Sequence, residues 1–314
     1  MKVSIVTPSY NQERFLEETM LSVLEQDYRD IEYVVVDASS DRSPEILERY
    51  AGRLHWWTHM DEDPGQVGAI NLGFAHTKGE LMAYLNSDDT LLPGAVSEMV
   101  AEFEADPELI MVYGDALYTD AESNRTGYLP SREWDPPAMV RNSDNHVVQP
   151  SSMWTRRAWE EAGPFDERGY FFFDLEFYLR LSGVEGHVKR VARPWSTYRE
   201  HAGSKTIGDQ IGKAHDYLRF ADDFLVGDRL PANLRPYVRE GRARARVAAA
   251  NNLYGDMVEL GLARRWLWES LVVHPASASR FSLSLAVKSL LPRRFVRRMQ
   301  LRRRATRSQE AGRA

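Results

Sequence analysis

The chain contains no cysteine. That absence excludes a disulfide framework, a thiolate nucleophile, a zinc ribbon and an iron–sulfur cluster, and it accords with a cytoplasmic setting. Long hydrophobic runs are also missing. The best candidate, Phe281–Leu291, is shorter than the ~20 residues that span a bilayer and is interrupted by Lys288. The opening MKVSIVTPSY reads as a strand and lacks the apolar core of a signal peptide. Neither G-x-G-x-x-G nor G-x-x-x-x-G-K-[ST] occurs, so dinucleotide and P-loop binding lose their usual support. No internal repeat at solenoid spacing is present.

What is present is a chain of 314 residues, 43% hydrophobic and 27% charged, which is globular rather than disordered in composition. The formal charge of −6 conceals two terms. Residues 291–314 carry nine Arg and one Glu, a net of +8, which leaves −14 on residues 1–290. Read as a helix, the tail alternates arginine pairs with Phe295, Val296, Met299 and Leu301, a basic amphipathic pattern suited to anionic lipid. A solvated, disordered tail is the alternative. A terminal basic segment on an acidic body is a poor nucleic-acid interface, so no nucleic-acid partner is expected.

Residues 1–120 alternate strand and helix. Apolar strands are predicted at Val3–Thr7, Glu32–Asp37, Leu54–Met60, Leu81–Leu85 and Ile110–Tyr118. Helices fall between them. The first is capped by Asn11 and buries Phe15, Leu16, Thr19, Met20, Val23 and Leu24; others cover Pro44–Tyr50, Gln66–His76 and Pro93–Phe103. Such alternation implies a parallel sheet with right-handed crossovers. Residues 128–148 read as a loop; Gln149–Trp154, a helix at Thr155–Ala162 and the run Tyr170–Leu181 form a second half, and the pattern turns helical from Gly208. The expected parts are a catalytic domain over 1–207, a helical extension over 208–290 and the basic tail over 291–314.

Ligands of open α/β sheets bind beyond the carboxyl ends of the strands. Four consecutive strand ends here carry acidic or small polar clusters: Thr7-Pro8-Ser9-Tyr10-Asn11, Asp37-Ala38-Ser39-Ser40-Asp41, Asp61 to Gln66, and Asn86-Ser87-Asp88-Asp89. The last is the strongest. Adjacent carboxylates after a buried strand suit Mg²⁺ or Mn²⁺, which bind through one or two carboxylates plus substrate phosphates; a solvated turn before Pro93 is the plainer reading of Asp-Asp alone. Asp37 could accept from a nucleobase or a ribose hydroxyl and Ser39 and Ser40 could meet phosphate, against an ordinary Asx turn.

These segments together resemble glycosyltransferase family 2, an inverting family with the GT-A fold, a Rossmann-like, mostly parallel sheet flanked by helices. The resemblance rests on VSIVTPSYNQERFLEETMLSVLEQDY, EYVVVDASSDRSPEIL, DEDPGQVGAINLGFAHTKGELMAYLNSDD, Gly163 to Glu167, Phe173 to Arg180 and Tyr198 to His201, and spans 1–207. It implies a hexosyltransferase-type enzyme of polysaccharide or cell-envelope synthesis, moving a sugar from a nucleoside-diphosphate donor to a glycan or lipid-linked acceptor. It places Thr7, Pro8, Tyr10, Asp37, Ser39, Asp63, Gln66, Asn71, Asp88 and Lys205 near the nucleotide-sugar, and Asp88 and Asp89 on the cation. Asp174 falls where the family keeps its catalytic carboxylate, with Glu176 the alternative and the spacing from Arg180 favouring Asp174. The sequence departs from the family at Ala38, Ile70 and Phe173, where an acid, a base and a Glu are often found.

A sugar hydroxyl needs a positioned base, and Phe171, Phe172 and Phe173 could desolvate Asp174 and raise its pKa. Helix capping is its plainer role. His201 either completes the metal shell or joins Lys205 in neutralising the leaving diphosphate; a surface-loop histidine is the plainer reading. The other seven histidines receive no role. Gln149, Trp134, Trp154 and Tyr170 form an acceptor platform or pack the core. The second reading of the whole chain is a catalytically degenerate scaffold of polysaccharide assembly; a sugar-nucleotide pyrophosphorylase lacks its Gly-rich loop here. The expected location is cytoplasmic, at the inner face of the membrane.

Overall fold

A computed structural model describes residues 1–205, 209–255, 259–277 and 283–285. Eight strands form one sheet: β1 Val3–Ser9, β2 Ile31–Asp37, β3 Trp56–His59, β4 Leu81–Tyr84, β5 Leu109–Thr119, β6 Arg125–Leu129, β7 Ser152–Thr155 and β8 His187–Arg199. Their order is β3-β2-β1-β4-β7-β5-β6, with β8 paired to β5. The strands β1 to β4 run parallel, as the alternation predicts. Beyond them the sheet is mixed: β7 is antiparallel to both β4 and β5, β6 is antiparallel to β5, and β8 is parallel to β5. The expectation of parallel pairing for 110–118 therefore holds only against β8.

The two-residue period of the strands divides the core in two. Val6, Val34, Val36, Met82 and Tyr84 face one way, into a cluster completed by Ile70 and Phe74 of α3 (Gly65–Ala75) and by Leu175 and Phe177 of α7 (Phe173–Leu181). Val3, Ile5, Tyr33, Val35, Leu81 and Ala83 face the other way. There they meet Leu16, Met20 and Val23 of α1 (Leu16–Leu24), Leu47 of α2 (Ser43–Tyr50) and Val96 and Met99 of α4 (Ala95–Ala105). Helices on both faces explain why β1 and β2 are apolar without alternation. The helix α3 lies close on the sheet at Gly73, where a Cβ would stand 2.4 Å from a Val6 methyl.

Three local expectations are corrected. Asn11 does not cap α1, which begins at Leu16; it adopts φ 53° and its Oδ1 accepts from Ser40 N at 2.8 Å, joining two strand-end loops. The stretch 128–148 is more than a loop, since it holds the end of β6 and the helix α5 (Pro136–Asn142), which Asp135 caps through Ala138 N. The third strand is shorter than Leu54–Met60. The helix α6 (Arg156–Ala162) is capped by Thr155, close to the predicted bounds.

Among the described residues after 208 the main elements are the helices Gln210–Arg219, Val238–Gly255 and Leu260–Val273. Ala249, Ala250, Leu253, Ala263, Trp266 and Leu267 form a separate small core there. Among the described residues no helix is long and apolar enough to cross a membrane. The basic tail 291–314 and most of Phe281–Leu291 lie outside the described residues.

Candidate active site

In the strand order, β1 lies between β2 and β4, so the chain leaves it in opposite directions and opens a crevice at the strand ends. A cavity of about 530 Å³ lies there, lined from the end of β1 by Pro8 and Ser9 and by Tyr10 just beyond it, from β2 by Asp37 and from the loop after β4 by Asn86, Asp88 and Asp89. Its other wall carries Asp174, Tyr170 and Lys205.

The acidic pair is built into the fold rather than left on a turn. Asp89 is 3% exposed, and its Oδ1 accepts from the Arg199 backbone N–H at 2.9 Å while its Oδ2 accepts from Asn86 Nδ2 at 3.4 Å. Burial, and then the neighbouring Asp88 charge, push its carboxyl well above the usual range. Asp88 Oδ2 lies 3.1 Å from His201 Nε2, and that imidazole packs against Phe15 with ring centroids 4.7 Å apart. Arg199, itself buried, donates Nε to the Asp88 carbonyl at 2.7 Å and Nη2 to Glu18 at 2.8 Å. The end of β8 and the turn just after it thus bring Arg199 and His201 to the acidic pair across more than a hundred residues of sequence.

These donors suit a hard divalent cation. A carboxyl raised by burial, and next by its carboxylate neighbour, is a group that an added positive charge would bring into its ionised form. Among the described residues no three His, Asp or Glu side chains close on one point. A cation held by Asp88 and Asp89 would therefore draw its remaining oxygens from water or from a phosphate-bearing ligand, the habit of Mg²⁺ and Mn²⁺.

Asp37 is fully buried at the end of β2. It accepts from Ser39 N–H at 3.2 Å and Ser39 Oγ at 2.6 Å, and its Oδ2 lies 2.8 Å from His59 Nδ1. Ser39 is therefore occupied in holding Asp37 and accepting from Asn11 N–H at 2.7 Å, not turned towards a phosphate. His59 sits opposite Asp37 in the β2–β3 register. Local sequence pattern gives His59 no role; only the strand pairing brings it to Asp37.

Two further expected contacts fall outside the cavity. Thr7 is buried, with its hydroxyl 3.0 Å from Tyr33 Oη, while Pro8, Ser9 and Tyr10 at the end of the strand reach the opening. Asn71 donates to the Phe165 carbonyl at 3.0 Å and to Glu167 at 3.2 Å, tying α3 to the loop before α7. Asp63 and Gln66 do line the cavity. Asp63 accepts from Gly65 N–H at 2.8 Å, where Gly65 has φ 71°. Gln66 donates to Asn86 Oδ1 at 2.7 Å and accepts from Lys205 Nζ at 3.0 Å. Asn86 in turn donates to Gln149 Oε1 at 3.2 Å, and Gln149 Nε2 to the Tyr84 carbonyl at 2.7 Å. One chain of hydrogen bonds thus crosses the cavity floor.

Asp174 lies in the first turn of α7, not at its cap, which is Phe172. Its Oδ2 accepts from Asn145 Nδ2 at 2.9 Å and its Oδ1 from Leu175 N–H at 2.7 Å. The Asn145 carbonyl oxygen is held by Val147 N–H at 3.0 Å, which fixes the amide so that its N–H₂ faces the carboxylate. Burial raises Asp174 to about 6 in spite of these hydrogen bonds. Phe171 and Phe173 line the cavity beside it, whereas Phe172 is buried in the core, its ring tilted 54° against Tyr217. Glu176, the other carboxylate considered, is also buried and raised to about 7, but it is paired with Arg219 rather than facing the cavity.

Lys205 Nζ donates to the Tyr170 carbonyl at 2.6 Å and sits 3.6 Å from the Tyr170 ring centre. Burial lowers it to about 8. Of the proposed acceptor platform, Tyr170 is exposed at the cavity wall and Gln149 lies on the floor. Trp154 is fully buried in the core on β7, and Trp134 packs against that core beside Tyr113, so neither is a platform.

The Glycosyl transferase family 2 model matches residues 4–162. The chain is 34% identical over 204 residues to the O-antigen biosynthesis protein RfbC of Myxococcus xanthus, covering 63% of this chain and 16% of that protein. It thus matches only about a sixth of that relative's length. Among solved structures it superposes on S. aureus TarS 1–349 in complex with UDP-GlcNAc with a TM-score of 0.69 at 16% identity, covering 92% of this chain and 89% of that one. The mannosyltransferase PcManGT from Pyrobaculum calidifontis in complex with GDP-Man and Mn²⁺ superposes with a TM-score of 0.55 at 18% identity, covering 96% and 83%. Matched by the family model over half its residues and sharing the fold over nearly all of them, the chain belongs to glycosyl transferase family 2 and has the GT-A fold.

Proposed function

We propose that this glycosyltransferase moves a sugar from a nucleoside-diphosphate donor to a glycan or lipid-linked hydroxyl by single displacement, with Asp174 as general base. One observation carries the reading: a buried carboxylate with raised pKa faces the same cavity as the Asp88/Asp89 pair. Support for the donor class comes from the ligands of the structural neighbours, UDP-GlcNAc and GDP-Man.

The acceptor oxygen attacks the anomeric carbon as the bond from that carbon to the diphosphate oxygen breaks. The acceptor proton passes to the Asp174 carboxylate, and the bonding pair leaves with the diphosphate. Asn145 and the Leu175 N–H hold the carboxylate in place, which keeps its lone pairs aimed rather than spent on reorientation. Lys205 lies free to exchange its bonds to Gln66 and Tyr170 for the negative charge that develops on the leaving group. A divalent cation on Asp88 and Asp89 would supply Lewis-acid neutralisation of that diphosphate. Asp37 at the buried end of β2, oriented by His59, is the acceptor for the base or ribose.

Single displacement inverts the anomeric centre. NMR of the initial product is expected to show a β-linked sugar from an α-linked donor, and an α-linked product would overturn the mechanism. The pH dependence has two limbs of opposite sign. The base works only ionised, so activity falls as pH drops through about 6. Lys205 works only protonated, so activity also falls as pH rises through about 8. Lys205→Arg should remove the alkaline limb, because guanidinium stays charged; an unchanged alkaline limb in that variant would assign it to another group.

We further place the +8 segment 291–314 against anionic membrane, where lipid-linked acceptors reside, each basic residue contributing ~1 kcal/mol near such a surface. The full chain should sediment with phosphatidylglycerol-containing liposomes at low salt and a 1–290 truncation should not. Equal sedimentation would remove the tail from this role.

A further inference from the structure

The loop that leads into α7 is held by a carboxylate from outside the family-matched region. Asp216, on the helix Gln210–Arg219, is 4% exposed, and its Oδ2 accepts from the backbone N–H groups of Tyr170, Phe171 and Phe172 at 3.2, 2.6 and 3.0 Å. Its Oδ1 accepts from Arg219 Nε at 2.6 Å, and Arg219 reaches on to Glu176 within α7. The same helix and the turn that follows it clamp the loop from its apolar side: Phe172 packs on Tyr217 with ring centroids 4.4 Å apart and on Phe220, just past the helix end, at 5.5 Å. A nest of three successive N–H groups closed by one carboxylate is a strong, charge-assisted contact. Through Arg219 it spans both sides of Asp174, binding residues 170–172 before it and Glu176 after it.

We propose that Asp216 is a positioning residue for the reaction: with Arg219 it fixes the loop 170–172 and the first turn of α7, and so sets where Asp174, Tyr170 and Phe171 stand in the cavity. The helical extension is then a working part of the active site, although its side chains Asp216 and Arg219 do not line the cavity. The proposal rests on Asp174 being the base. Displacing a base by about 1 Å can cost ~10²-fold in rate without loosening the donor, whose proposed contacts at Asp37, Asp88 and Asp89 belong to other loops.

Asp216→Asn keeps an acceptor oxygen but loses the charge; Asp216→Ala loses both. With whichever member of a panel of UDP- and GDP-sugars the wild type turns over, kcat should fall in the order wild type, Asn, Ala, by on the order of tenfold and a hundredfold, while the donor KM stays within about twofold. Hydrogen exchange read by mass spectrometry should rise in peptides covering 169–174 of the Ala variant and stay unchanged in those covering β1 and β2. A kcat unchanged in the Ala variant, KM and kcat worsening together, or exchange rising across the whole sheet would each overturn the positioning role. The two readings fail separately. If Asp174→Asn retains full activity the base is wrong, whereas unaltered exchange at 169–174 in Asp216→Ala sinks the clamp whatever the base is.

Discussion

Asp174→Asn is expected to lower the transfer rate by ~10²–10⁴-fold, the range of a lost general base, with donor affinity near that of the wild type. The same change should stabilise the protein. Burial raises this carboxyl from the ordinary 3.8 to about 6, and a difference of one in pKa is worth ~1.4 kcal/mol. Its folded pKa exceeds the unfolded one, so the protonated form favours folding: that contribution is complete below pH 4 and disappears as pH rises through about 6. At pH 7.5 the ionised wild type therefore bears a cost of ~3 kcal/mol that the amide variant escapes, less whatever Asn145 and Leu175 lose as hydrogen-bond donors to a charge. Chemical denaturation at pH 7.5 and pH 4 checks the sign. The variant should be the more stable at the higher pH, and the gap should close at the lower; a variant less stable at pH 7.5 would show that Asp174 is held for packing, not for chemistry.

Asp89→Ala is expected to cost on the order of 10²–10³-fold in kcat/KM and to abolish the dependence of donor binding on Mg²⁺ or Mn²⁺. The reason is its surroundings. Burial, and then the Asp88 charge beside it, hold Asp89 towards its neutral form, and a bound cation would compensate that penalty. Because Asp89 also accepts from the Arg199 backbone, the alanine variant risks loosening β8; Asp89→Asn keeps an acceptor for that N–H and isolates the charge. Calorimetry with UDP and GDP in the presence of Mn²⁺ separates the outcomes. Loss of cation-dependent binding in both variants supports the assignment, and full wild-type activity in excess chelator removes the cation from the mechanism.

The parallel half of the sheet was legible because β1, β2 and β4 are short apolar runs flanked by helices whose buried positions recur at i, i+3 and i+4. The same reasoning located the loops after β1, β2 and β4, since ligand chemistry in such sheets gathers at strand ends. Local pattern was silent where pairing is long-range. The strand β8 carries Arg190, Arg193, Pro194 and Arg199 and is half exposed, so it has no clean alternation, yet it delivers Arg199 and His201 to Asp88 and Asp89. His59 and Asn145 were hidden for the same reason. One is next to Asp37 only through strand register, and the other reaches Asp174 from the stretch read as a loop. Thr7, Ser39 and Asn71 lie in segments that match the family, but the folded chain engages the two hydroxyls and the Asn71 Nδ2 internally, on Tyr33, Asp37 and the Phe165 carbonyl.

The most direct measurement follows release of nucleoside diphosphate from a panel of UDP- and GDP-sugars, with Mn²⁺ and with excess chelator, by wild type and Asp174→Asn side by side. Wild type with Mn²⁺ should consume at least one donor, the chelator should stop it, and Asp174→Asn should bind that donor without transferring its sugar. Undiminished transfer by Asp174→Asn in the presence of Mn²⁺ would contradict a mechanism in which this buried carboxylate takes the acceptor's proton.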